Sequence, residues 1–337
     1  MGFPDVVQLA HGGGGMLTAR LIETVFAPAF RNPYLEPLGD GAVFPFGGER
    51  LAFTTDTFVV KPIVFPGGDI GSLAVHGTVN DLAMCGAEPL VLSAGFVLEE
   101  GFPLRELERV VRSMAEACAS VGIPMVTGDT KVVDRGKGDG VYVNTSGVGR
   151  VRDGVHVGPR CARPGDAVLV SGPVGDHGIA VMAAREGIDF ETALVSDSAP
   201  VLEAVRALLD AVPDTHVLRD PTRGGLATAL AEIALSSKVG IRLEEGEIPV
   251  RDEVRGACEL LGFDPLYVAC EGRFLAVVPG ERAEVALAAI RSRPGGEGAR
   301  RVGAVVPEDP GRLVLRTRMG SHRLLERLSG EQLPRIC

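Results

Sequence analysis

Two stretches of this chain alternate strand-like and helix-like patterns, and between them lies RDGVHVGPRCARPGD (residues 152–166), rich in Gly, Pro and Arg. A segment of that kind suits an inter-domain connection. It divides 337 residues, more than one hydrophobic core comfortably fills, into two α/β units. The predicted organisation is a Gly-rich flexible segment over 1–36, an α/β domain over 37–150, a second over 151–316 and a mobile tail over 317–337.

The first unit opens with AVFPFGGERLAFTTDTFVV, whose alternation and central Gly47-Gly48 predict a hairpin. In GGDIGSLAVHGTVNDLAMCGAEP, Asp69 reads as an N-cap, Ile70, Leu73, Ala74 and Leu82 keep a helical period, and Gly86 ends the run. A strand PLVLSAGFVL, a helix from Pro103 to Gly122, and the strands PMVTGDTKVV and GVYVNTSGVGRV follow. The second unit restarts at DAVLVSG, with helices at about 176–187, 198–210 and 224–238, then RFLAVVPG, another helix, RVGAVV and RLVLRT. In the tail, HRLLERL reads as a short helical patch before EQLPRIC.

Charge narrows the partners. Lys plus Arg number 34 against 44 Asp plus Glu, a net charge of −10 that repels nucleic acid and anionic membranes. The start lacks a basic region with an apolar run, and no apolar stretch is long enough for a membrane span, so a cytoplasmic protein is expected. Cysteines 85, 118, 161, 258, 270 and 337 form no C-x-x-C pair or zinc-like spacing. Five sit in apolar or helical surroundings, where an inert buried thiol is the default. Cys337, the last residue of the sequence, is the exception, because an exposed thiol is easily oxidised unless its chemistry is wanted.

Acidic residues beside small ones recur: Asp40 in LGDGA, Asp56 in TTDT, Asn80 and Asp81 in VNDLAM, Asp129 with Lys131 in TGDTK, and Asp220 in RDPTRGG. Singly, each suits a cap or turn. As a set they favour a Mg²⁺-nucleotide site, since magnesium bound to phosphates takes few carboxylates and these can come from separate segments. HGGGG (11–15, with Gly13 and Gly14) can close backbone N–H groups over an anion or serve as a linker; it fits neither the P-loop nor the dinucleotide fingerprint. DPTRGG leads directly into a helix whose start can face a phosphate. His76 and Asn80, four apart, share a helix face, where a histidine is ordinarily a hydrogen-bonded core residue.

TTDTFVV, FPGGDIGSLAVHGTVNDLAMCGAEPL, TGDTKVV, DPTRGGLAT, CEGR and the closing PRIC, in that order, closely resemble the HypE family of hydrogenase maturation factors, carbamoyl dehydratases. The likeness runs from about residue 8 to the last. The wider superfamily includes aminoimidazole ribonucleotide synthetase, selenophosphate synthetase and thiamine monophosphate kinase. The resemblance implies two α/β domains of the aminoimidazole ribonucleotide synthetase-like type with a flexible C-terminal tail, dimerisation through the strands of the first, and ATP in the cleft between them. It assigns Asp40, Asp56, Asp81, Asp129 and Asp220 to metal and nucleotide, with Asn80 beside them and Gly13 and Gly14 in a phosphate-covering segment.

The resemblance further implies that a carbamoyltransferase loads Cys337 as –S–C(O)NH2, that ATP-dependent removal of water gives –S–C≡N, and that cyanide passes to iron on a scaffold complex. Glu271 in CEGR would be the base and Lys131 would orient it or stabilise phosphate charge. The competing readings are an ion pair of Glu271 with Arg273 and a solvated strand-end lysine. A tail of about 18 flexible residues would span about 20–25 Å, letting one thiol visit loading enzyme, cleft and acceptor. Arg335 is available to steer it toward an acidic cleft. The rivals are an ATP-dependent small-molecule synthetase or kinase of the same superfamily and a non-catalytic thiol-delivery module; selenophosphate synthetases carry a reactive Cys or selenocysteine in the glycine-rich segment, and AHGGGGMLT has none.

Overall fold

The computed structural model describes residues 6–188, 194–328 and 336–337. The first domain is a five-stranded sheet built from β1 (Ala42–Phe46), β2 (Glu49–Phe58), β3 (Ala87–Glu99), β4 (Met125–Val133) and β5 (Val141–Val151), in the order β1-β2-β5-β3-β4. The β1–β2 hairpin turns where the sequence predicts, with Phe46 opposite Glu49 and both Gly47 (φ 60°) and Gly48 (φ 90°) in the left-handed region that a two-residue turn requires. Every pairing is antiparallel except β3 with β4, which are parallel and place Gly95 opposite Asp129. β4 is therefore an outer strand.

Across this sheet lies α1 (Ile70–Met84), capped by Asp69, whose carboxylate accepts the N–H groups of Gly71 (2.8 Å) and Ser72 (3.0 Å). Its predicted apolar stripe is in fact buried on nearly every side, because α1 packs against β2, β3 and β5, against α2 (Leu104–Val121), and against a helix of the second domain.

The second domain is a seven-stranded sheet: β6 (Asp166–Val170), β7 (Val217–Arg219), β8 (Gly240–Glu244), β9 (Leu275–Pro279), β10 (Arg300–Val306), β11 (Leu313–Arg316) and β12 (His322–Leu325), ordered β12-β11-β8-β10-β6-β9-β7. Its helices are α3 (Asp176–Glu186), α4 (Leu202–Ala211), α5 (Gly225–Ser237), α6 (Asp252–Leu261) and α7 (Ala283–Arg291). α4 is the element that α1 meets. One apolar cluster runs through both domains, joining Phe58, Leu73 and Leu92 to Leu208, Phe274 and Ile290. The cleft between the domains is thus floored by a shared core.

Three expectations are corrected. Residues 1–36 are not simply a flexible Gly-rich lead, because Met16–Leu21, Ile22–Phe26 and Ala27–Phe30 form successive helical turns. HRLLERL is a strand: His322–Leu325 pairs antiparallel with β11, and hydrogen bonding to that edge overrides its leucine spacing. The tail predicted to be free from residue 317 is consequently held as far as Leu328, whose carbonyl accepts the Met16 N–H at 2.7 Å. Arg335 and the rest of 329–335 lie outside the described residues, as do residues 1–5 and 189–193.

Candidate active site

Three elements converge at one end of the cleft. Asp40 precedes β1, Asp81 sits in the last turn of α1, and Asp220 follows β7; one carboxylate oxygen from each lies within 4.8 Å of the others. Arg219 Nη1 meets Asp40 Oδ1 at 3.0 Å and Nη2 reaches Glu232 Oε2 at 3.1 Å, while the Thr54 hydroxyl lies 2.6 Å from Asp81 Oδ2. Three acids so close cannot all ionise cheaply away from water. Burial, then the charge of Asp40, pushes Asp220 up to about 8 even with Arg219 opposing. Burial and the neighbouring Asp220 and Asp40 hold Asp81 well above the carboxylate range, and burial raises Asp40 against Arg219. The donor set is all hard oxygen and its own repulsion is what a divalent cation would relieve, so these residues fit magnesium.

Asp56, on β2, lies alongside with Arg223 Nη2 at 3.9 Å. Arg223, in the DPTRGG turn ahead of α5, also donates to the Gly12 carbonyl at 3.3 Å, and a Cβ on Gly14 would come within 2.6 Å of Arg223 Cβ. The glycine-rich segment with Gly13 and Gly14 thus rests on the turn that the sequence marked for phosphate.

Further into the cleft, the Glu271 carboxyl and the Cys337 thiol are neighbours, and Oε1 of Glu271 is buried without a hydrogen-bond partner. Burial, then Asp220, Asp56 and Asp197, drives the Glu271 carboxyl well above its ordinary value. Burial and the charge of Glu271 likewise raise the Cys337 thiol, against Arg223. The last residue is inside the cleft yet still half-buried rather than sealed, and its neighbour Ile336 is 3% exposed.

The ion pair of Glu271 with Arg273, the competing reading of Glu271, does not form. Arg273 Nε lies 3.5 Å from Asp197 Oδ2 and donates to the carbonyl of Pro173, and its Nη1 donates to that of Gly295. Asp197 in turn accepts the Glu271 backbone N–H at 3.0 Å, so Arg273 steadies Glu271 indirectly. Asn80 proves to be a clamp between the domains: its amide N–H groups go to the Ala199 and Glu271 carbonyls (3.0 and 3.2 Å) and its Oδ1 accepts from Val201 N (2.9 Å).

Asp129 and Lys131 are placed apart. On β4 they face the same way, exposed, with Lys131 Nζ 2.7 Å from Asp129 Oδ2. The five-carboxylate set is thus, within one chain, Asp40, Asp81 and Asp220 with Asp56 alongside. Arg223, Thr54, Asp197 and His177 were not singled out from sequence; Arg223 and Thr54 stood within quoted motifs (DPTRGG and TTDT), whereas nothing in the sequence marked the other two.

The AIR synthase related protein N-terminal domain family matches residues 38–151 and the corresponding C-terminal domain family residues 163–316. The carbamoyl dehydratase HypE of Azotobacter vinelandii is 53% identical over 331 residues, covering 98% of this chain and 97% of its own. That of Escherichia coli (strain K12) is 44% identical over 336 residues, covering 98% and 99%. Among solved structures, one of HypE in complex with ATP has a TM-score of 0.84 at 49% identity, covering 98% of this chain and all of its own (100%). A HypE–HypF complex gives 0.87 at 46% identity, covering 91% and 99%.

Proposed function

This chain belongs to the carbamoyl dehydratase HypE family, within the AIR synthase related proteins, and from that premise we propose that it dehydrates an S-carbamoyl group on its own Cys337 to a thiocyanate at the expense of ATP. The observation that carries this reading is the Cys337 thiol lying beside Glu271, Arg223 and the aspartate cluster inside the protein. An enzyme acting on a free small molecule has no need of its own terminus there.

An amide oxygen is a poor leaving group. In the proposed sequence the carbamoyl oxygen takes the γ-phosphoryl group of ATP while Glu271 accepts one proton from the nitrogen, leaving –S–C(OPO3)=NH and ADP. The C–O bond then breaks, the second N–H proton leaves with the phosphate, and –S–C≡N remains. Burial raises the proton affinity of this carboxyl, so that once ionised it is a stronger base for the first step. Asp40, Asp81 and Asp220 would hold magnesium, which supplies charge neutralisation and in-line positioning of phosphates. Arg223 is placed to balance charge near the sulfur, and the shared apolar core limits water around the phosphorylated species.

The raised thiol value means that Cys337 in the cleft is a thiol and a poor nucleophile, so loading belongs to an extended tail. The loading partner is a carbamoyltransferase, as the related HypE–HypF complex suggests, and the acceptor an iron scaffold in hydrogenase assembly. A cytoplasmic protein is in keeping with that role, and among the described residues no helix is long and apolar enough to cross a membrane.

A homodimer is also part of the proposal. The outer strand β4 exposes Val126 and Val132 together with the Asp129–Lys131 pair, so a second copy packed along this edge would bring both charged residues toward a nucleotide site. ADP release by magnesium-ATP tests the whole: it should equal the amount of carbamoylated chain supplied and vanish in Cys337→Ala. Catalytic ADP release that persists in Cys337→Ala would instead indicate a free substrate.

A further inference from the structure

The chemistry above gives no task to His177, a buried histidine against the end of the tail. His177, the second residue of α3, is fully buried, and its Nε2 lies 2.9 Å from the backbone carbonyl of Ile336. Its Nδ1 lies 2.8 Å from Ser196 Oγ, which also accepts the N–H of Ser198 at 3.0 Å. A carbonyl only accepts, so Nε2 must carry the ring proton; Nδ1 is then bare and accepts from the Ser196 hydroxyl. Every member of the relay has a fixed direction, from Ser198 N–H through Ser196 and His177 to the tail. Burial favours the neutral imidazole that this requires.

The relay is also braced from the first domain. The Phe65 ring meets the imidazole edge-on at 5.4 Å between centroids, and Ser196 N–H donates to the Pro66 carbonyl at 2.9 Å. Ile336 is buried in the same apolar cluster as Phe65. Both domains therefore hold the residue immediately before the terminal cysteine: the second by its backbone carbonyl, through His177, and the first through the apolar cluster around its side chain.

We propose that His177 is a positioning residue for the dehydration: its Nε2–H holds the Ile336 carbonyl and so sets the register at which cargo on Cys337 meets Glu271. This deepens the proposed reading and rests on it. It also accounts for choice of substrate, since a free S-carbamoyl compound offers no preceding peptide carbonyl to hold. His177 touches neither sulfur nor cargo, and its effect passes through the tail backbone.

The test compares His177→Ala, His177→Gln and Ser196→Ala in the full chain. In the unloaded protein, the iodoacetamide alkylation rate at Cys337 should rise about three- to tenfold in His177→Ala, the worth of one hydrogen bond. Half-buried Cys161 and buried Cys118 should alkylate at wild-type rates, a selectivity that general loosening would not give. His177→Gln keeps an N–H donor and should restore most of the protection, and Ser196→Ala should fall between, also serving if the alanine variant does not fold. In the pre-carbamoylated protein, single-turnover nitrile formation should slow by a similar factor while ATP affinity is unchanged. Alkylation of Cys337 within twofold of wild type in His177→Ala or, should that variant not fold, in Ser196→Ala, would overturn the proposal, as would equal exposure of all three cysteines. Because the alkylation arm uses no nucleotide, its outcome stands even if wild-type protein forms no nitrile, which would defeat the dehydration reading instead.

Discussion

The base proposed at Glu271 takes its character from what surrounds it. Its carboxyl is buried beside three other acids while its backbone is held from both sides by Asp197 and Asn80, so it is at once a strong proton acceptor and a fixed one. Gly272 makes this possible: a Cβ there would sit 1.7 Å from the Asp197 carbonyl oxygen. Glu271→Gln keeps the shape and removes the base, so single-turnover nitrile formation should fall about 10²–10⁴-fold with ATP affinity retained, as read by rapid quench and calorimetry. The aspartate cluster gives a pH signature. A carboxyl whose folded value lies above its unfolded one stabilises the fold at low pH and loses that contribution as pH rises through the folded value. With Asp220 at about 8 against an ordinary 3.8, the metal-free protein should lose stability between about pH 4 and 8 from this group. Magnesium must displace that proton, so the thermal shift it produces should be larger at pH 8.5 than at pH 6.5. The acids of this site were legible in the sequence because each stands beside small residues in a short distinctive block. Arg273 was not, because its proximity to Glu271 along the chain hides a partner, Asp197, that is distant in sequence.

At the scale of elements, α1 positions the site. Its N-cap at Asp69 sets where the helix begins, and fixed periodicity then delivers Asn80 to the second domain and Asp81 to the acidic cluster. Removing the Asn80 amide strands backbone groups of Ala199, Val201 and Glu271 at once. Asn80→Ala should therefore cost about 1–3 kcal/mol in urea unfolding and should slow the reaction more than its stability loss alone explains. The hairpin and the α1 cap were readable because turn and capping chemistry are local. The strand β12 was not, since His322–Leu325 has leucines at spacings that suit either period and only the β11 edge decides between them. The first helical turns, at Met16–Phe30, were obscured by the glycines just before them, whereas the helical spacing of Val254, Ala257, Cys258 and Leu261 in α6 was legible but went unread.

At the scale of the whole molecule, two sheets of different size share one apolar cluster, and the far end of the chain returns into the cleft it helps to define. The two-domain division and the likeness of the two halves to a known pair of domains were legible because the connection is compositionally distinct. The return of the terminus was argued from chemistry, and its backbone anchor on His177 depends on contacts no local pattern encodes. The proposed dimer belongs to this scale too: Val132→Lys on the exposed face of β4 should halve the mass seen by light scattering and uncouple Asp129 and Lys131 from catalysis. The most direct test of the account is the intact mass of the carbamoylated chain before and after magnesium-ATP. The account predicts that Cys337 loses the mass of one water and keeps its carbon and nitrogen, whereas an unchanged mass, or loss of the entire carbamoyl group, would contradict it.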